Sequence, residues 1–325
     1  MAGELRFLAM DLPNRPWRDM LRRYKTVETL GFDLAGFADH FVPSADSAAP
    51  WFEQWTLLAA VARETSRIRL ATWVTQIPFR NPALLAHQAC TADHLSDGRL
   101  ELGLGVGLTM DPSYAMMGLA NWSNKERVAR FREYVQVVDR LLSDKTTTFE
   151  GKFYELRGAP MFRPVQLPRP PIVIAALGPV MLKRAAELAD NWNCLSFAAT
   201  FDQQLAETRE RIRLVDAHCA VIGRDPASLR RSYLMPVGAL LGAGMFDCYA
   251  SAGIFADMAQ RLIDLGISEI GLWYPAREEQ MPVFEKIAAE VLPALKERHA
   301  ARWAVDRPVG DGKAVAMDSL ERTAE

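Results

Sequence analysis

The spacing of hydrophobic residues switches between two periods along most of the chain. Short apolar runs of strand length alternate with longer segments whose apolar residues recur every three or four positions, as on one face of a helix. Eight runs predict strands, at residues 5–10, 32–38, 68–74, 100–107, 172–177, 192–197, 232–241 and 267–273. A helix is predicted after each strand, so the pattern indicates an α/β protein and favours a (β/α)8 TIM barrel. A doubly wound open sheet remains the alternative, because periodicity does not show whether a sheet closes.

Three segments fall outside this repeat. They are a polar, Met-rich stretch after the fourth strand, a segment at 146–156 before the fifth strand that predicts a hairpin, and a loop at 242–250 after the seventh. We therefore predict one barrel domain over residues 1–300, with insertions at these three places. Residues 301–325 are predicted to form a polar C-terminal tail.

The fourth predicted strand carries glycines on one of its two faces. Alternation places Leu100, Leu102, Leu104 and Val106 on one side, and Gly103, Gly105 and Gly107 on the other. Glycine weakens a strand and often marks a place where another group approaches the backbone. The glycines by themselves are equally compatible with a bulge or a loose strand end.

Composition narrows the possible functions. Half of the 325 residues are hydrophobic and the formal net charge is -2, which gives no electrostatic case for binding nucleic acid or an anionic membrane. The chain has no apolar run long enough to span a bilayer, and its N-terminus lacks the apolar segment of a signal peptide. Its four cysteines form no CxxC pair, so we expect reduced thiols, a cytoplasmic location and no metal site.

Candidate chemistry is sought at the strand ends, because TIM-barrel active sites lie at the C-terminal ends of the strands. Asp39 and His40 follow the second predicted strand, and His40 shares a face with the small residues Gly36 and Ala38. An imidazole beyond small residues can project into the barrel mouth, where it is suited to move protons near neutral pH. The alternative is a histidine that only hydrogen-bonds a loop.

A second candidate lies at the end of the fifth strand, where Gly178-Pro179 starts a helix. The first free N–H groups of that helix, from about Val180 and Met181, point outward at the positive end of its dipole and would suit an anion such as phosphate. Other motifs are absent from the sequence. We find no dinucleotide or P-loop glycine signature, no Ser-His-Asp arrangement and no metal-ligand spacing.

Several of these residues belong to an ordered set of motifs that resembles the luciferase-like flavin monooxygenase family, which includes relatives of bacterial luciferase and of deazaflavin (F420)-dependent enzymes. The longest motif is HLSDGRLELGLGVG at 94–107. The others lie at 31–33, 39–41, 80–86, 149–154, 170–172, 178–179 and 189–193. The resemblance covers roughly residues 5–295, and it implies a (β/α)8 barrel that binds reduced FMN or F420 at its mouth.

The resemblance also implies roles for particular residues. It places His40 beside the cofactor ring as the proton-handling residue, with Asp39 or a backbone carbonyl positioning it. The ring would lie where the glycine face leaves room, against the end of the third strand near a non-prolyl cis peptide, with the phosphate near Gly178-Pro179. The implied cofactor-binding residues are Thr75, Gln76, Gly105, Val106, Gly107, Leu177, Gly178, Pro179, Val180 and Met181.

Three positions depart from the family pattern. Val106 stands where luciferase has a phosphate-binding arginine, Leu108 where F420-dependent sugar-phosphate dehydrogenases have a glutamate, and Ser44 where they have a tryptophan. These departures disfavour an acid-assisted sugar dehydrogenase and indicate an apolar substrate pocket. Its candidate walls are Leu108, Met110, Met116, Met117 and Trp273.

The function predicted from the sequence is a flavin-dependent monooxygenase that uses reduced FMN and oxygen on a small apolar or carbonyl substrate. A separate, transiently bound reductase would supply the FMN, since the chain shows no NAD(P)H motif. The first alternative is an F420-dependent oxidoreductase that transfers hydride. The second is a flavin-binding barrel without turnover. The resemblance further implies a homodimer, whereas the identity of the substrate does not follow from it.

Overall fold

The computed structural model describes residues 4–43, 48–235 and 247–302. In this part of the chain, parallel strands close into a barrel with eight strand positions, here called staves. The strands are β1 (Arg6–Asp11), β2 (Leu34–Phe37), β3 (Arg69–Thr72), β4 (Thr75–Gln76), β5 (Leu100–Gly105), β6 (Thr146–Glu150), β7 (Glu155–Pro160), β8 (Ile172–Ala175), β9 (Asn191–Cys194), β10 (Arg230–Leu234) and β11 (Glu269–Trp273). The third stave is made of two short strands, β3 and β4. β1 pairs with β2 and with the last strand, β11, and the pairing of β3 with β5 closes the ring. The predicted (β/α)8 barrel is therefore confirmed, and the open sheet was the wrong alternative.

Helices cover the outside of the barrel. They are α1 (Trp17–Thr29), α2 (Gln54–Glu64), α3 (Pro82–Leu95), α4 (Ser113–Met116), α5 (Asn124–Ser143), α6 (Pro179–Leu188), α7 (Phe201–Val221), α8 (Ala252–Asp264), α9 (Met281–Lys286) and α10 (Leu292–His299). Side-chain caps fix several starts. The Asn81 side chain accepts the Ala83 N–H, and the Ser123 hydroxyl accepts the Glu126 N–H.

Two of the three predicted insertions lie within the described residues. β6 and β7 form a separate antiparallel hairpin before β8, the fifth stave, and α4 lies in the segment that follows β5. The third insertion falls mostly on residues 236–246, outside the described part, as does the end of the seventh predicted strand. The boundary of the domain at residue 300 stays a prediction, since residues 303–325 are also outside it. In the described ranges, no helix has the length and apolar character needed to cross a membrane.

The third predicted strand is interrupted. β3 ends at Thr72, a cis peptide bond joins Trp73 and Val74, and the chain resumes pairing with β5 as the short strand β4. This non-prolyl cis peptide lies where the family resemblance implies one. The interruption brings the end of the third stave next to the glycines of β5.

The glycine face of β5 is packed against this interrupted stave. A Cβ added at Gly103 would lie 1.8 Å from the Thr72 carbonyl oxygen, and one at Gly105 would lie 2.5 Å from the Val74 side chain. The Thr72 hydroxyl also donates to the Gly103 carbonyl at 2.9 Å. The expectation that these glycines leave open room for a cofactor ring is therefore wrong, because the neighbouring stave fills that space.

We expect Gly103→Ala to lower the free energy of unfolding by about 2 kcal/mol or more, because backbone must move to admit the methyl group. Urea unfolding followed by circular dichroism measures the change. Gly253→Ala is the matched control, since its added Cβ would meet no described atom closer than 3.9 Å. Equal stability of the two variants would contradict the packing described here.

The barrel interior is charged at its N-terminal end and apolar toward its mouth. Arg6 forms ion pairs with the buried carboxylates of Glu101 and Glu269, and Arg69 also pairs with Glu101 at 2.6 Å. Burial raises the pKa of Glu101, but the two guanidinium groups outweigh it and lower that pKa to about 2. Above this layer lies an apolar cluster of Leu8, Met10, Leu34, Ala38, Ala71, Trp73 and Leu234.

Candidate active site

His40 lies at the mouth of the barrel, three residues after β2. Its Nδ1 atom is 2.7 Å from Oδ2 of Asp111, and the edge of its ring contacts Trp51 at a centroid distance of 5.7 Å. The side chain remains 28% exposed. Its Nε2 atom makes no hydrogen bond to any residue that the structure describes. The Nε2 edge of the imidazole is therefore the part of the ring that is free to contact a substrate.

Asp111 is a buried carboxylate in the loop after β5. Its Oδ1 accepts the Ser113 N–H at 2.9 Å, and its Oδ2 accepts a hydrogen bond from Gln76 Nε2 at 3.1 Å. Burial raises the pKa of this carboxyl, but the hydrogen bonds from His40, Ser113 and Gln76 outweigh burial and hold the pKa well below its usual range.

An ionised Asp111 decides the tautomer of His40. A carboxylate can only accept, so the His40 Nδ1 carries the proton and donates it to Asp111. When the ring is neutral, Nε2 then holds the free lone pair. The pair can therefore act as a base at Nε2, and the carboxylate stabilises the imidazolium that forms when Nε2 takes a proton.

Gln76 holds Asp111 in place. Its Nε2 donates to the Asp39 carbonyl at 2.6 Å as well as to Asp111, and its Oε1 accepts from the Tyr114 hydroxyl. That hydroxyl accepts a hydrogen bond from Arg127 Nη1 at 2.9 Å. Because both ends of the amide are used, its orientation is fixed, and with it the position of the Asp111 carboxylate.

Asp39 does not contact the imidazole, contrary to the sequence prediction. Its carboxylate forms a two-pronged ion pair with Arg80 at 2.6 and 3.1 Å and accepts the Gln76 N–H at 2.8 Å. Successive side chains in extended chain point to opposite sides, so Asp39 faces outward where His40 faces the mouth. The carboxylate that contacts the His40 ring is instead that of Asp111, which lies 71 positions away from His40 in the sequence.

Sequence reasoning missed Asp111, although a signal was present. It is the only charged residue between Leu108 and Asn124, in a loop that follows a strand carrying three glycines. An isolated carboxylate at a barrel mouth is costly to bury without a partner, which points to a functional pairing. Arg127 was missed as well, since a helix position gives no hint that its side chain turns into the site.

The residues on the third and fourth staves that were predicted to bind the cofactor differ in whether they contact this network. The Thr75 hydroxyl donates to Gln54 of α2 at 2.7 Å, so its side chain faces away from the mouth. The Val106 carbonyl accepts from Arg127 Nη1 at 2.9 Å. Gly107 has a φ of +75°, and a Cβ there would lie 2.2 Å from the Tyr114 hydroxyl. Of these residues, Gln76 and Gly107 pack directly against the network that positions His40.

The start of α6 offers backbone donors to an anion. Gly178 is the N-cap and no described side chain caps this helix, so the N–H groups of Val180 and Met181 are unmatched within it. A Cβ added at Gly178 would have open space among the described atoms. The Met181 side chain lies in the core, Leu177 packs against it, and that of Val180 is exposed. Any contribution from this segment to binding is therefore made by its backbone.

The walls of the mouth are apolar and aromatic. Leu108 and Met110 are exposed in the loop that holds Asp111, and Met110 reaches 81% exposure. The same loop exposes Met116 and Met117. Trp273 packs against the apolar cluster and donates its indole N–H to the Met235 carbonyl at 2.9 Å. The apolar substrate pocket at these positions stays a prediction.

Two further indoles carry unused donors. Trp73 extends across the barrel to β11, where a Cβ at Gly271 would lie 2.3 Å from its ring. Its Nε1 and the Nε1 of Trp51 are buried and meet no acceptor among the described residues. Buried donors are normally paired, so these two N–H groups fit a bound group that brings carbonyl oxygens.

Two further histidines have structural partners. His94 Nε2 lies 2.9 Å from the Arg163 carbonyl oxygen, and His299 Nε2 lies 2.9 Å from Gln260 Oε1. All four cysteines are buried and free. Over the described ranges, no three His, Cys, Asp or Glu side chains are arranged to hold a metal ion.

Comparison with known proteins identifies a matching family and several relatives. Residues 5–239 match the luciferase-like monooxygenase family. Among curated relatives, the F420-dependent glucose-6-phosphate dehydrogenase of Amycolatopsis mediterranei is 35% identical over 182 residues, 55% of this chain and 54% of that protein. The enzyme of the same name from Mycolicibacterium fortuitum is 35% identical over 185 residues, 55% of this chain and 53% of that protein. The chain thus spans about half the length of these relatives.

Solved structures share the fold. An F420-dependent secondary alcohol dehydrogenase in complex with an F420-acetone adduct superposes with a TM-score of 0.74 at 20% identity, over 88% of this chain and 99% of that one. The coenzyme F420-dependent tetrahydromethanopterin reductase of Methanopyrus kandleri gives a TM-score of 0.74 at 19% identity, over 90% and 100%. At these identities the likeness establishes the barrel alone.

Proposed function

The chain belongs to the luciferase-like monooxygenase family, and on that basis we propose that it is an F420-dependent oxidoreductase acting on a small alcohol or carbonyl compound. The observation that carries this proposal is the His40–Asp111 pair, which leaves a basic Nε2 facing the barrel mouth. Oxidation of an alcohol needs such a base, because the hydroxyl proton must leave when the carbon gives up hydride.

F420 supplies the acceptor or donor of hydride when it is bound. His40 takes the hydroxyl proton at Nε2 during alcohol oxidation and returns it during carbonyl reduction. Asp111 keeps Nδ1 protonated and stabilises the charged ring. The aromatic wall around Trp51 and Trp273 excludes water from the reacting groups, which strengthens the interaction between the ring and its carboxylate.

The residues present fit such a cofactor. Unmatched N–H groups at Val180 and Met181 would hold its phosphate, next to open space at Gly178. The buried indole N–H groups of Trp51 and Trp73 would meet ring carbonyls. These features suit FMN as well as F420, so the choice between the two comes from the relatives.

F420 is favoured over the FMN predicted from the sequence, because the curated relatives compared above are named as F420-dependent dehydrogenases. Monooxygenation with a separate reductase is accordingly the weaker hypothesis, and a barrel without turnover is disfavoured by the His40–Asp111 pair. For the substrate, we favour an apolar alcohol or ketone over a sugar phosphate, since Leu108 and Met110 are exposed apolar residues in the loop that holds Asp111. The homodimer stays a prediction.

Titration of the purified protein with each cofactor tests this proposal. We expect oxidised F420 to bind at least 10-fold more tightly than FMN, as measured by the change in cofactor fluorescence, with riboflavin as a control that lacks the phosphate. Loss of F420 absorbance with one of a panel of short-chain alcohols, under anaerobic conditions, should follow. Tighter binding of FMN, or binding of neither, would contradict the assignment.

A further inference from the structure

A groove of about 810 Å³ lies outside the barrel, between the first three turns of α5, the turn of the β6–β7 hairpin and the first turn of α6. Both helices start at the mouth end of the barrel, so the groove opens on the same side as His40. Val180 and Arg184 of α6 line one wall, and residues 124–136 of α5 supply much of the other.

Cationic side chains line this groove. Lys125 and Arg132 are exposed on α5 and have no ion-pair partner within the described ranges. Arg184 donates to Glu187 at 2.6 Å through Nη1, while its Nε is buried and lacks an acceptor among the residues described. Unpaired cations in one concave surface attract an anionic ligand.

The groove is lined by three cationic side chains and by two carboxylates, Glu133 and Glu150, which offset the positive charge only in part. Glu133 accepts the N–H groups of Lys152 and Phe153 at 3.1 and 2.8 Å, so its carboxylate is directed at the hairpin turn. Glu150 is exposed at the same turn. Val128 and Phe149 add apolar surface. The groove therefore fits a flexible chain that carries several carboxylates on short methylene segments.

The groove is continuous with the phosphate site suggested at α6. Val180 presents its N–H at the start of the helix and its side chain to the groove. Groups attached beyond a phosphate at that N–H would therefore enter the groove. FMN ends at its phosphate, whereas F420 continues through its phosphate into a chain of glutamates.

We propose that this groove binds the oligoglutamate tail of F420 through Lys125, Arg132 and Arg184. The inference rests on the proposed function and extends it, because it gives the chain a surface that only the tailed cofactor can use. Each contact is an exposed ion pair and contributes modestly, so the effect is the sum of several weak attractions and falls as salt rises.

The test compares F420 bearing its glutamates with F420 trimmed to the phosphate end, using dissociation constants measured at low and high salt. We expect the tail to tighten binding about 10-fold at low salt in the wild-type protein. In Lys125→Ala/Arg132→Ala that advantage should fall to about twofold, while binding of the trimmed cofactor stays unchanged. Lys286→Ala/Arg298→Ala, which removes two exposed cations on α9 and α10, is the matched control.

The outcomes separate the two proposals. Equal affinity for both forms in the wild type, or an unchanged advantage in the double variant, would overturn the tail site while leaving F420 as the cofactor. Failure to bind either form would overturn the tail site and the proposed function together. An equal loss in the control variant would show that the effect follows net charge and not the groove.

Discussion

Replacement of His40 by alanine should lower turnover by about 100-fold or more and leave the dissociation constant for F420 within about twofold. The reason is that Nε2 is the basic atom facing the mouth, while the described contacts of the ring are with Asp111, Gln76 and Trp51. Steady-state rates of F420 reduction, with the best alcohol from the panel, measure the first effect, and fluorescence titration measures the second.

His87→Ala is the control, because His87 is exposed on α3. It should keep wild-type turnover. Imidazole added to the buffer should restore part of the rate of His40→Ala, since a small base can enter the space left by the side chain. Wild-type turnover in His40→Ala would remove His40 from the mechanism and leave the barrel mouth without an identified base.

Asp111→Asn should also lower turnover by about 100-fold or more, although its shape is nearly unchanged. An amide in this place can donate to Nδ1, which moves the His40 proton to Nε2 and blocks the base. Rates over a range of pH check this result. The lower turnover should persist at every pH tested, because the neutral imidazole does not lose its Nε2 proton within the pH range in which the protein is assayed. Asp257→Asn, an exposed change on α8, is the control.

The same substitution has a pH-dependent effect on stability. The pKa of Asp111 is lower in the folded chain than its ordinary value of 3.8, so its ionised form stabilises the fold. That contribution is fully present above about pH 4 and is lost as the pH falls toward the folded pKa. The melting temperature of the wild-type protein should therefore approach that of Asp111→Asn on acidification. A gap that stays constant below pH 4 would contradict the low pKa.

The sequence by itself determined the barrel and located His40 at the end of its second strand. Apolar strands must bury their faces, and the apolar faces of the helices between them can provide the cover. A sequence with eight strand–helix repeats is therefore compatible with few folds. His40 was found because it follows a strand and shares a face with the small residues Gly36 and Ala38, and the start of α6 because Gly178-Pro179 marks the start of a helix. Each of these signals lies within a few residues of the feature it predicts.

Only the tertiary structure decided what surrounds those residues. Asp111 reaches His40 across 71 positions of chain, Arg127 turns inward from α5, and Thr72 fills the space beside Gly103. None of these contacts has a local signature, because each depends on the path of a loop or on how neighbouring staves align when the sheet closes. The spacing of hydrophobic residues predicts which face of a strand or helix is buried. The partner of each buried group depends instead on packing between segments that are far apart in the chain.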